Sequence, residues 1–339
     1  MPPLTLNFNI SPMNTLYPLK FTPIYKERIW GGTKLKSLLN KDFSPLSNCG
    51  ESWEISGVQD DVSVVANGFL AGNSLEEVIE VYMGDLVGEK IFEQFGTEFP
   101  LLIKYIDAND NLSIQVHPDD ELSKERHGAY GKTEMWYVVE ADKGAELISG
   151  FDSEINREGY LKAFESGQLE AVLNKERVKA GDVFFMPAGR VHAIGKGIVV
   201  AEIQQTSDVT YRIFDFNRVD AQGNPRELHT ELALDAIDYK YEKNYRTEYE
   251  ARDNEPVAIA ECQYFTTNLL NINQPTERDF KGKDTFVIYM CIEGECLLDC
   301  EGVKTEIRKG ETILVPVVIE SFILEPYTSV KTQLLEVYI

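Results

Sequence analysis

The chain has 339 residues, 43% of them hydrophobic, and 33 Lys plus Arg against 56 Asp plus Glu give a formal net charge of −23. That supplies enough apolar material for two modest domains or one elaborated barrel, with no polar stretch long enough to argue for extended disorder. The charge repels nucleic-acid backbones and anionic membranes, so neither is expected as a partner, and an anionic small substrate would need a local cluster of Lys and Arg. No apolar run approaches the roughly 18 residues of a membrane span. The odd count of five Cys, without a cleavable apolar leader, predicts a cytoplasmic protein lacking a disulfide framework.

The opening PLKFTPIYKERIWGGTKL is extended and aromatic-rich and ends in a glycine turn; GESWEIS and VSVVANG follow as short strands. From Ser74 the period changes: Leu75, Val78, Ile79 and Tyr82 fall at helical spacing, with Ser74 as N-cap and Glu77 completing a capping box. EKIFEQFG predicts a second short helix. FPLLIKYIDA and NLSIQVH read as strands, then a polar loop, then strands in TEMWYVVEA, AELISGF, GDVFFMPAG and IVVAEIQQ, interrupted by a helical insertion over 156–174. RELHTELALDAI predicts a helix with Leu228, Leu232 and Ala233 on one side. After a charged, weakly patterned stretch over 239–254, strands resume in CQYFTTNLLNI, DTFVIYMCIEG, ECLLDCEG, ETILVPV and KTQLLEVYI. Cys291, Cys296 and Cys300 punctuate this part without C-x-x-C spacing and read as small strand residues. Many short strands with frequent turns predict a mainly β protein of the sandwich or barrel class.

A weak internal repeat divides these strands into two related barrels, over 1–238 and 239–339. WYVVEADKGAELISG lies over FVIYMCIEGECLLDC with Gly144 on Gly294, and KAGDVFFMPAGRVH over RKGETILVPVVIES with Pro187 on Pro316. Counted this way, His192 falls on Ser321 and Glu134 on Asp284, and the second copy has no Q-x-H. Any metal site in the first barrel is therefore expected to be lost from the second.

Gln115 and His117 are two apart on a strand, so they share a face. Glu134 opens the next strong strand and His192 follows the MPAGR turn, and a barrel can gather all four inside. Two imidazoles, a carboxylate and an amide oxygen suit one divalent ion, Zn²⁺ ahead of Mn²⁺, Fe²⁺ or Co²⁺. A hydrogen-bonded core histidine would explain each imidazole singly; all four residues falling in one barrel copy favours the metal. His127 and His229, in polar stretches, are assigned to the surface.

These segments carry a resemblance. NLSIQVHPDD, GKTEMWY, MPAGRVHAI and QQTSDVTYR, supported by WGG and GESWEIS, resemble the signatures of the type I mannose-6-phosphate isomerases over nearly the whole chain, in their short bacterial form. The resemblance implies two cupin-type, jelly-roll-like barrels with short helical insertions, and one Zn²⁺ per chain on Gln115, His117, Glu134 and His192. It implies active-site roles for Lys104, Ser113, Lys132, Glu202, Asp208 and Arg212. Long-form members can carry a His immediately before the lysine, where this chain has Gly131.

Weighed on its own chemistry, Lys104 in an apolar strand needs an anionic partner, either a structural carboxylate or a substrate phosphate. Ser113 shares the face of Gln115 and His117. Lys132 shares that of Glu134, unless it is a solvated strand end, and Arg212 with Asp208 could be an ordinary ion pair. Lys104, Lys132 and Arg212, with Arg190 adding to them, form the local positive cluster a sugar phosphate requires. The expected reaction is aldose–ketose isomerisation of mannose 6-phosphate through a cis-enediol, with Asp208 or Glu202 as base and Lys132 assisting. Another metal-dependent cupin enzyme and a non-catalytic sugar-binding cupin remain as alternatives, and the sequence leaves the oligomeric state open.

Overall fold

The computed structural model describes residues 16–219, 222–327 and 331–339. It contains two β-sandwiched barrels set back to back. The first barrel pairs a six-stranded sheet, ordered Val183–Met186, Glu134–Ala141, Ile198–Gln205, Leu101–Ala108, Glu51–Ile55 and Ile24–Lys26, with a five-stranded one. The latter is ordered Tyr211–Phe214, Ile114–Val116, His192–Ala193, Glu146–Phe151 and Leu173–Arg177. The second barrel combines a seven-stranded sheet with a four-stranded one, Thr276–Asp279, Ser321–Pro326, Glu295–Cys300 and Val303–Arg308.

Chain order does not respect the two barrels. The strands Leu19–Thr22 and Val64–Val65 complete the seven-stranded sheet of the second barrel, Leu19 pairing with Leu314. In the other direction, the charged stretch after residue 238 packs on the first barrel: Tyr245 bonds Phe151 through its hydroxyl, and Arg246 pairs with Asp182.

The strand Leu101–Ala108 is buried over all eight residues because both of its faces are covered. Leu101, Ile103 and Tyr105 pack with Leu269, Ile288, Met290 and Leu335 in the core between the two large sheets. Ile106 and Ala108 turn instead into the first barrel, beside Trp136 and Val138. Lys104 shares their face, which puts an ammonium inside that barrel. The outer side of the five-stranded sheet is closed by Tyr160, Leu169, Ala233 and Leu234 from helical segments.

The helix Leu75–Tyr82 forms as expected, with both hydrogen bonds of its capping box present. The insertion over 156–174 is a helix Arg157–Glu165 and a 3₁₀ turn, and the last expected helix shortens to Thr230–Ala236, leaving Leu228 exposed outside it. The polar loop after His117 contains a further helix, Asp120–His127. Its apolar periodicity is nearly absent, but Asp119 caps it by accepting from the Leu122 amide and Gly128 ends it in the left-handed region.

The strand ladders correct the internal repeat. Glu134 pairs with Met186 and Val287 with Val315, each partner lying just before the repeat's shared proline. Val287, rather than Asp284, is therefore the counterpart of Glu134. The reason is turn length: 142–145 separate the hairpin strands in the first barrel, whereas Gly294 alone does so in the second. His192 likewise faces Gln115 while Phe322 faces Arg278, so Phe322, rather than Ser321, replaces His192. Asp284 has another task, accepting from the Glu89 and Lys90 amides at a helix start.

Candidate metal centre and cavity

Two cross-strand rows build the site. On the five-stranded sheet, Gln115 sits between Arg212 and His192; on the six-stranded sheet, Glu202 sits between Lys104 and Trp136, and Gln204 between Leu102 and Glu134. Direct neighbours in a ladder bring Cβ atoms to about 5 Å, so the rows converge where the two sheets face each other.

The centre is His117, Glu134 and His192, all 1% exposed, whose donor atoms lie within 4.8 Å of one another. Each imidazole is oriented from behind: Nδ1–H of His117 donates to the Val209 carbonyl at 3.0 Å and that of His192 to the Arg190 carbonyl at 2.8 Å. This fixes the tautomer that turns Nε2 lone pairs toward Glu134, at 3.5 and 3.4 Å from its two oxygens. His117 Nε2 and both Glu134 oxygens are buried with no hydrogen-bond partner among the described residues. Leaving a buried acceptor unmet costs about 1–3 kcal/mol, so three converging on one point call for a shared cation. The Gln115 amide nitrogen lies 3.3 Å from His192 Nε2, and half a turn of the amide brings its oxygen there as a fourth donor. This donor set fits a divalent ion of the zinc type.

The local field agrees. Burial, then the charge of Lys132, holds His117 well below the usual imidazole range, and burial brings His192 down to about 4, so both are neutral at pH 7. Burial and the neighbouring Glu202 push the Glu134 carboxyl up to about 8.

A cavity of about 510 Å³ opens beside this centre, and Lys104, Ser113, Gln115, Lys132, Glu202, Asp208 and Arg212 all line it. Their roles differ. Lys104 already has protein partners, donating to Glu202 at 2.9 Å and Gln204 at 2.6 Å over the face of Trp53; the structural carboxylate, not a substrate phosphate, meets its charge. Glu202 has both oxygens occupied, the second by the Trp136 indole N–H at 2.8 Å. Burial raises its pKa, but Lys104 and Lys132 outweigh that and lower it, so its proton affinity is small. Asp208 is exposed at the rim and makes no ion pair with Arg212.

Among the described residues that line the cavity, Lys132 and Arg212 are the cations without an ion-pair partner. Lys132 is 6% exposed, and its ammonium has no hydrogen bond among the described residues; burial and the charge of Lys104 lower its pKa. Arg212 donates once, to the Glu227 carbonyl at 2.8 Å, and its Nε is buried and unmet. Burial, then Arg226, lowers its pKa.

Arg190 is not brought into the cavity. Its guanidinium bonds Glu242 at 2.9 Å and the Phe185 carbonyl at 2.7 Å, and stacks over Tyr245. His127 stays exposed, bonding Tyr211, whereas His229 is half-buried and accepts from the Arg212 amide. The sequence reading passed over Glu51, which lines the cavity, binds Arg28 at 2.8 Å and accepts from the Trp53 indole at 2.7 Å. Burial raises it, but Lys104 and Arg28 take it down to about 2. Strand alternation in GESWEIS placed Glu51 and Trp53 on one face and was the signal available. All five Cys are free thiols.

A buried two-histidine, one-carboxylate cluster with a glutamine beside it, next to a charged cavity within one of two β-barrels, has the donor set that could hold a metal ion in an enzyme site. Comparison with known proteins makes this specific. Residues 18–149 match the description "Phosphomannose isomerase type I, catalytic domain", and residues 256–330 match "Mannose-6-phosphate isomerase, cupin domain". The mannose-6-phosphate isomerase ManA of Bacillus subtilis is 37% identical over 92% of this chain and 97% of its own length. That of Streptococcus mutans is 36% identical over 90% and 94%. The crystal structure of the Bacillus subtilis mannose 6-phosphate isomerase superposes with a TM-score of 0.83 at 33% identity, covering 95% of this chain and 99% of that one. The chain belongs to the type I mannose-6-phosphate isomerase family and is an enzyme of that class. Among the described residues, no helix is long and apolar enough to cross a membrane.

Proposed function

We propose that the chain interconverts mannose 6-phosphate and fructose 6-phosphate in the first-barrel cavity, with one zinc ion held by Gln115, His117, Glu134 and His192. The ion when bound would supply Lewis-acid polarisation of sugar oxygens. The observation that carries this reading is a cavity lined by two cations without an ion-pair partner, Lys132 and Arg212, opening beside the unmet His117 and Glu134 donors in a chain whose net charge is −23.

The residues divide the work as follows. Lys132, in its neutral form, takes the proton from C2 of the open-chain aldose; the electron pair moves into a C1–C2 double bond and the C1 carbonyl becomes an enediolate oxygen. Arg212, whose free N–H donors face the cavity, stabilises that developing charge. The C2 hydroxyl proton passes to the C1 oxygen, the double bond shifts to C2=O, and the same lysine returns its proton to carbon C1, leaving the ketose and a neutral lysine. A lysine kept from water beside another cation is suited to this, because its lowered pKa raises the neutral fraction near pH 7. Glu202 and Glu51 hold Lys104, and this fixed ion cluster orients the floor of the cavity. Arg226, near Arg212 on the same lining, is forked onto Asp215 at 2.7 and 2.5 Å and so keeps Arg212 from sharing that carboxylate, while Ser113 offers a hydroxyl for the sugar.

The reading is tested by a coupled assay on mannose 6-phosphate with and without chelator. Activity lost on chelation and restored by zinc is expected. Inactivity after metal reconstitution would overturn it. Lys132→Arg should retain substrate binding but lose turnover, because guanidinium cannot accept the proton; near-normal turnover would remove Lys132 from the proton-carrying role.

A further inference from the structure

The lysine that faces the centre is carried on a short segment, 131–133, with no regular structure of its own. Its three successive amides are nevertheless all engaged. Gly131 N donates to Asp120 Oδ1 at 2.8 Å, Lys132 N to the Pro118 carbonyl at 3.2 Å, and Thr133 N to Gln205 Oε1 at 2.9 Å. Gln205 closes the loop by donating its Nε2 to the same Asp120 oxygen at 2.9 Å. The other Asp120 oxygen accepts from the hydroxyl of Tyr264. Tyr264 comes from the tight turn between Pro256–Glu261 and Thr266–Ile272, which are strands of the second barrel.

Gly131 belongs to the same device. Its φ is not in the left-handed region, so backbone freedom does not require glycine here. Space does: a Cβ would stand 2.6 Å from the Asp120 amide nitrogen and 2.7 Å from the Asp119 carbonyl carbon, both main-chain atoms that cannot yield cheaply. Any side chain at 131 would push the segment off the Asp120 carboxylate. The phenol of Tyr264 is pushed up to about 12 by burial and by Asp120, so it remains a donor at neutral pH.

We propose that Tyr264 and Asp120 are positioning residues for the isomerisation, through which the second barrel clamps the 131–133 segment and fixes where the Lys132 ammonium stands in the cavity. Neither touches the cavity that holds the centre; both act through Lys132. The second barrel thus contributes one hydroxyl to the geometry of a site it does not line. The clamp rests on the proposed function only in that Lys132 lines the substrate cavity and acts on the sugar there, and the experiment separates the two.

The test compares Tyr264→Phe, Gly131→Ala, Lys132→Ala and the two double variants containing Lys132→Ala, each with bound zinc measured. Tyr264→Phe should lower kcat about tenfold, within the cost of an ångström-scale misplacement, with KM for mannose 6-phosphate, metal content and thermal midpoint little changed. Gly131→Ala should lower kcat likewise with metal content unchanged, but with a lower thermal midpoint, because its Cβ displaces main-chain atoms. In the Lys132→Ala background neither change should lower the residual rate further, because the group they position is gone. Wild-type kcat in Tyr264→Phe beside a crippled Lys132→Ala would overturn the clamp and leave the lysine's role standing. A tenfold loss repeated undiminished in the Lys132→Ala background, or accompanied in Tyr264→Phe by a matching fall in thermal midpoint, would also overturn it, since that is what a general structural defect produces. Full activity in Lys132→Ala would overturn both.

Discussion

The two barrels keep the same acidic row and meet its charge differently. In the first, Glu202 lies between Lys104 and Trp136 and accepts from both; in the second, Glu336 lies between Asn268 and Tyr289 and accepts from both, at 3.0 and 2.7 Å. Facing that row, the first barrel has Gln115, His117 and His192, the imidazole centroids 4.8 Å apart. The second has Arg278, Phe280 and Phe322, the two rings stacked 6.1 Å apart. Even the edge contact is retained, Trp136 meeting His192 at 81° and Tyr289 meeting Phe322 at 86°. Val287 replaces Glu134. In the second barrel Arg278 forks onto Glu336 at 2.7 and 2.8 Å, a built-in cation where the first barrel presents unmet donors. A buried carboxylate needs a positive partner in either case. Both barrels meet it internally for the shared row, through Lys104 and Arg278; the first adds a second buried carboxylate, Glu134, that has no Lys or Arg partner.

The largest effect expected from this contrast is on metal and turnover together. His117→Ala or Glu134→Gln should abolish stoichiometric metal binding and reduce kcat by more than about a hundredfold, since even partners behind a ligand commonly cost 10–100-fold. Phe280→Leu, at the place corresponding to His117, should change neither. Metal bound normally by His117→Ala would break the distinction. Next, Arg212→Ala should retain its metal while kcat falls about 10²–10³-fold, the usual cost of one oxyanion donor; steady-state kinetics beside elemental analysis would show it.

A stability effect belongs to the other barrel. Arg278→Ala leaves Glu336, fully buried, without its cation, and should cost about 3–5 kcal/mol of folding stability. Denaturant titration should register that loss while kcat per folded molecule stays near the wild-type value. Adding Glu336→Gln should recover part of it.

The smallest expected effect concerns protons. Glu134, raised to about 8, is largely protonated at pH 7 in the metal-free chain, whereas the lowered histidines are already neutral. Metal uptake at pH 7 should therefore release about one proton, fewer at pH 9, readable by calorimetry in buffers of different ionisation enthalpy. Linkage gives the stability consequence. Glu134's folded pKa lies above its unfolded value, so its contribution is full below the ordinary carboxylate range and is lost as pH rises through about 8. His192's lies below, so its contribution is present above the ordinary imidazole range and is lost as pH falls toward about 4. The metal-free chain should thus weaken in both directions; a metal-free stability flat across that range would contradict the assignment.

Much of this site is local in the sequence. Ser113, Gln115 and His117 follow from strand alternation, and the four candidate ligands meet in space as the motif spacing indicated. What was not legible depends on how strands are placed against one another. The free-energy balance at Lys104 turned on Glu202, a cross-strand partner nearly a hundred residues away. Arg190, one residue from a histidine ligand's neighbour, turns out of the barrel because Glu242 and Tyr245 from the following segment receive it. The repeat could not be registered by letters, because turns of unequal length shift the counterparts of Glu134 and His192. The Asp120–His127 helix escaped notice because its stability comes from caps rather than an apolar stripe.

The most direct measurement is the metal content of the purified chain set against that of barrel-specific variants. Elemental analysis should find one zinc ion per wild-type chain, one in Phe280→Leu, and none in His192→Ala. Two ions per wild-type chain, or one retained in His192→Ala, would contradict the assignment of the centre to the first barrel.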